Sequence, residues 1–157
     1  MIEEISSFFN IEMIYIWANI GILPFWFILI FLPQSKFCSF FVTSVFPYLV
    51  FGSIYVYLIY YLHISNYDFV ENFTLYLGFE ELINLFSDKY FVITFWLHFL
   101  AINLFCGSWI VKDSQKFLIS KYLTFFPLTI TYFVGPLGIF VYWLIRIFYA
   151  KKISLYD

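Results

Sequence analysis

The sequence predicts an all-α integral membrane protein, a bundle of about four transmembrane helices in a single domain. Three observations predict it. Of the 157 residues, 64% are hydrophobic and only 11% charged, where a soluble domain has about 25% charged residues. The mean hydropathy is +0.91. The apolar residues fall in runs of about 20, the length that a helix needs to cross about 30 Å of hydrocarbon. A chain this short has no room for a separate soluble catalytic module.

The first span is expected over 13–32. Pro33 closes it and Pro24 bends it, because proline lacks an N–H and clashes with the preceding turn. The N-terminus carries Glu3, Glu4 and Glu12 rather than a basic n-region, so no cleavable signal peptide is expected. The second span covers 42–63, with Pro47 in its first turns. Tyr55, Tyr57, Tyr60 and Tyr61 mark its far end as an interfacial belt. Between 64 and 89, the acids Asp68, Glu71, Glu80, Glu81 and Asp88 forbid a crossing. Phe79, Leu82, Ile83 and Phe86 recur there at helical spacing and predict a short amphipathic helix at the membrane surface. The third span covers 90–111. The fourth covers 123–148, interrupted at Gly135-Pro136-Leu137-Gly138. Four crossings put Lys36, Lys112, Lys116 and Lys121 on one side and Lys89, Arg146, Lys151 and Lys152 on the other, so the positive-inside count ties.

Several function classes are excluded or disfavoured. A net charge of −2 gives no electrostatic basis for binding nucleic acid. Cys38 and Cys106 form no CxxC and are expected to be free thiols. There is no P-loop, GxGxxG, HExxH or Ser-His-Asp pattern. No internal repeat suggests a transporter built from inverted halves.

The candidate residues are the polar groups inside the spans, each of which is costly in lipid. On the third span, Thr94, His98, Ala101, Phe105 and Ser108 form a stripe expected to face the bundle interior. Asn103 sits about 140° around the helix from His98. Tyr15, Asn19, Ile22 and Trp26 form a stripe on the first span. Thr131, Gly135, Gly138, Tyr142 and Arg146 form another on the fourth, where Arg146 is expected to snorkel to the headgroups. Two readings stay open for Asn19 and His98. Either they are hydrogen-bond glue between helices, or they belong to a site. A metal would need His63, His98 and an acid such as Glu80 to meet, the set that holds non-haem iron.

The run from Trp96 through His98, Asn103, Gly107 and Ser108 to Ile110, followed by Asp113, resembles the plant abscisic-acid-deficient, neoxanthin synthase-like membrane family. Gly135-Pro136-Leu137-Gly138 is similar to that family's second block, and Asn19, Leu23-Pro24, Trp26 and Pro33 to its first-span pattern. The resemblance covers most of the chain. It departs at Asn103, where members often carry an acid. It implies a membrane enzyme that isomerises a carotenoid, or cleaves a carotene oxidatively to retinal, the latter with non-haem iron. On that reading His98 and Asn103 are catalytic. Asn19, Trp26, Phe99, Phe105, Gly135, Pro136 and Tyr142 bind the polyene. The expected partners are membrane lipid, the carotenoid, and a second copy or a pathway enzyme; the expected location is a bacterial inner membrane. The rival readings are a non-enzymatic carotenoid- or retinal-binding scaffold and a small transporter subunit.

Overall fold

The computed structural model describes residues 10–151. Glu3, Glu4 and Lys152 lie outside them. Among the described residues every regular element is helical: α1 Ile11–Phe31, α2 Phe46–Ile64, α3 Phe79–Leu85, α4 Lys89–Lys116, α5 Lys121–Phe133 and α6 Gly135–Ala150. A π-turn, Cys38–Val42, precedes α2, and a 3₁₀ stretch, Glu71–Tyr76, precedes α3.

Local chemistry sets the boundaries. Asn10 Oδ1 accepts from the Met13 amide at 2.8 Å and caps α1. Asp88 Oδ1 accepts from the amides of Tyr90 at 2.9 Å and Phe91 at 2.8 Å, which starts α4 directly after the acidic stretch. Pro24 is accommodated within α1, and Pro47 falls in the first turn of α2, where its missing N–H costs nothing. Lys151 ends α6 in the left-handed region at φ 52°. The short helix α3 forms as expected. It buries Leu85 and leaves Phe79, Ile83 and Phe86 exposed, as a helix lying at an apolar surface does.

Three stretches are long and apolar enough to cross a membrane: Ile11–Phe31, Cys38–Ile64 and Lys89–Lys116. The expected fourth span, 123–148, is divided. Its break lies at Val134, one residue before the Gly-Pro-Leu-Gly run, in extended conformation (φ −141°, ψ 89°). The break is a reversal rather than a bend. At its start α6 meets Asn103 through Gly135. Further along, Tyr142 meets Asp113 and Trp109, and Arg146 meets Asp113 and Phe117. Thus α6 runs alongside α4 in the same direction. The opposite course holds for α5: Phe125 lies on Phe31 and Tyr132 on Trp26. With 13 and 16 residues, the two helices reach about 20 and 24 Å, less than the hydrocarbon thickness. They form a helical hairpin, each arm too short to cross on its own.

The chain packs as two compact units. The first holds the chain up to Ile20 together with Leu49–Phe99; the second holds Gly21–Tyr48 together with Leu100 onward. Three helices pass from one unit to the other, and the hairpin belongs wholly to the second. On α4 the buried seam is Ile93, Leu97, Leu100, Leu104, Gly107, Val111 and Ser114, at spacings of three and four. The expected interior stripe is therefore corrected. Ser108 is buried and Thr94 half-buried, but His98 and Phe105 are exposed. Cys38 is buried, Cys106 is half-buried, and both are free thiols.

Candidate functional site

In the first unit, the ionisable group that stands out is His98. It lies about 13 Å along the helix axis from Lys89, well inside a span. Its side chain is exposed and meets no hydrogen-bond acceptor or carboxylate among the described residues. Aromatic residues surround that stretch of α4. Phe95 is exposed and packs edge-on against Phe86 at 4.9 Å, and Phe99 stacks on Trp96 at 5.3 Å. Trp96 is itself held: its Nε1 donates to Asn19 Oδ1 at 3.2 Å, while Asn19 Nδ2 donates to the Tyr15 carbonyl at 2.7 Å. Asn19 is thus engaged on both ends of its amide. It orients Trp96 and ties α1 to α4, which is the hydrogen-bonding role open to it from the sequence.

His63, His98 and Glu80 all belong to this unit, and each is exposed. Among the described residues no three histidine, cysteine or carboxylate side chains gather as a metal would require. His63, His98 and Glu80 do not assemble as an iron set among the described residues.

The second unit buries several polar groups, among them Asn103, Asp113, Thr131 and Arg146. Asp113 Oδ2 accepts from Arg146 Nε and from the Tyr142 hydroxyl, each at 2.7 Å. The two charged side chains are 2% and 8% exposed. The guanidinium lies over the Phe117 ring at 4.7 Å, and the Tyr142 ring meets Trp109 edge-on at 5.7 Å. Arg146 therefore does not snorkel, and this cluster was missed from the sequence. Its signal was the stripe itself. Two glycines on the Arg146 face mean that the face meets protein, and a buried guanidinium then needs a carboxylate.

Several of the remaining predicted residues of this unit lie at the hairpin. Asn103 is 3% exposed. Its Nδ2 points to the Tyr132 carbonyl at 3.5 Å, among the last carbonyls of α5, which lack helical partners. Its Oδ1 fills the space that a Cβ on Gly135 would need. Non-helical backbone at membrane depth is tolerated where protein covers it, and Asn103 covers this turn. Gly138 lies against Thr131, leaving no room for a Cβ. Trp26 packs on Gly107, whose Cβ would come within 2.8 Å of the indole. Pro136 and Phe105 are exposed, and Phe105 packs edge-on against Tyr48. The structure brings Asn103 and Gly135 together. It places His98, Asn19, Phe99, His63 and Glu80 in the first unit and the other predicted residues in the second.

A family model described as ABA4-like, ABA DEFICIENT 4-like, matches residues 13–142. No curated protein and no solved structure matches the chain.

Proposed function

The chain belongs to the ABA4-like family, and from that premise we propose that this integral membrane protein isomerises a carotenoid-type polyene, with His98 as its proton-transfer group. The observation that supports the reading is the exposure of His98 inside a span. An ionisable group in that position is costly and reads as functional. A polyene dissolved in the bilayer reaches it sideways, without an aqueous channel. Phe95 and Phe99 beside it offer flat faces to a conjugated chain.

Isomerisation needs nothing that the residues lack. Opening an epoxide to an allenic alcohol breaks one C–O bond and moves one proton from a chain carbon to oxygen. Elemental composition is unchanged. A neutral imidazole takes the proton and the resulting imidazolium returns it. In this reading Asn103 acts at the hairpin, where it lies against the Tyr132 carbonyl and Gly135.

The test is expression in bacterial hosts that make β-carotene or epoxidised xanthophylls, followed by chromatography and mass analysis of membrane extracts. The expected product has the mass of its precursor and a shifted absorption spectrum, and it disappears with His98→Ala. A shorter chromophore would replace isomerisation by oxidative cleavage. Pigment that co-purifies unchanged, in wild type and variant alike, would replace the enzyme by a binding or scaffold protein.

A further inference from the structure

We propose that the second unit carries a phosphate-binding site in the polar concavity between the segment after α1 and the α4–α5 connection. The open concavity measures about 420 Å³ and is lined by Gln34, Ser35, Lys36, Ser39, Ser114 and Gln115, with Leu118, Ile119 and Ser120 along its rim. That volume falls in the range of small-molecule sites, about 300–1,000 Å³.

The lining selects for an anion. It contains four serines, two amides and a lysine, and no carboxylate. Asp113 is the one carboxylate of this unit among the described residues, and it is bound to Arg146. Nothing anionic therefore competes for Lys36, which is exposed and has no ion pair among the described residues.

The wall is built rather than loose. Gln115 Nε2 donates to the Pro33 carbonyl at 2.7 Å, fixing the end of α1 to α4. Ser35 Oγ accepts from the Cys38 amide at 3.0 Å, and Ser120 Oγ accepts from the Tyr122 amide at 3.4 Å. A hydroxyl that accepts from backbone keeps its own hydrogen to donate. Ser35 and Ser120 thus present O–H donors held in place by their backbone bonds. Ser120 is also the N-cap of α5; its hydroxyl and carbonyl take the amides of Tyr122, Leu123 and Thr124, which fixes it at the edge of the concavity. Hydroxyl donors and one ammonium form the donor set of a phosphate site, with lysine as the point charge.

The ligand chemistry is a phosphate ester or phosphate ion, from a lipid headgroup or from water. The full chain purified in a maltoside detergent, which carries no phosphate, is titrated with short-chain phosphatidylglycerol and separately with inorganic phosphate. The expected result is saturable binding of the lipid, weakened about tenfold by Lys36→Gln and by Ser35→Ala, and untouched by Lys151→Gln, which removes a charge elsewhere in the unit. Binding of inorganic phosphate with the same Lys36 dependence supports the site and names the free ion as its ligand. Absence of saturable binding for both probes overturns the proposal. Equal losses for Lys36→Gln and Lys151→Gln overturn it too, since the general charge of the surface would then explain the binding.

Discussion

The two units treat an ionisable group in opposite ways. In the second, the Asp113 carboxylate and the Arg146 guanidinium are buried against each other and sealed by Phe117 and Tyr142. In the first, His98 stands exposed on its helix with no acceptor among the described residues. A charge enclosed by partners has a structural use, because each half makes the other tolerable. His98, exposed on a helix long and apolar enough to span, has no such partner among the described residues. The difference separates a buried, paired charge from an ionisable group without a packing partner more cleanly than residue type does.

The comparison breaks first at Asp113. Asp113→Ala leaves a buried guanidinium without its counter-charge and is expected to cost about 3–5 kcal/mol. Unfolding of the purified protein in detergent measures this. Asp113→Leu combined with Arg146→Met should recover most of the loss, as an apolar replacement of a buried pair does. Next comes the hairpin. Gly138→Leu forces a side chain into Thr131 and should cost about 1–3 kcal/mol or more, with faster proteolysis across 133–138.

A smaller effect belongs to Tyr67, in the loop outside the spans. Burial, then the carboxylates of Asp88 and Glu71, push its hydroxyl up to about 12 from an ordinary 10. The folded state therefore holds this proton more tightly than the unfolded state. The stability it contributes is complete below pH 10 and is lost as pH rises toward 12. Tyr67→Phe should flatten that part of the stability profile. The smallest change in stability belongs to His98→Ala, within about 0.5 kcal/mol, as for a surface site. A large loss there would make His98 structural and remove the contrast between the units.

Much of this was legible in the sequence. The three long helices follow from uninterrupted apolar runs, α3 from its spacing, and the inward face of α6 from Gly135, Gly138, Tyr142 and Arg146. The family follows from the block around His98. Two features were not legible, for physical reasons. Helices of 13 and 16 residues placed end to end have the composition of one span, and Gly-Pro-Leu-Gly suits a bend as well as a reversal. What decides is a long-range fit, Gly138 against Thr131 and Asn103 against the turn. The rotation of α4 was also hidden. In lipid both faces of a spanning helix are apolar, so periodicity does not announce the buried side. Placing polar residues inward put His98 on the wrong side, whereas the seam follows Ile93, Leu97, Leu100 and Leu104.

The reversal at Val134 also decides where the second unit carries its exposed lysines. A returning hairpin brings α6 back to the end from which α5 sets out, so Lys36, Lys112, Lys116, Lys121 and Lys151 gather at one end of that unit. One continuous fourth span would carry Lys151 to the opposite end. A single residue of extended backbone thereby collects charge that an unbroken helix would divide.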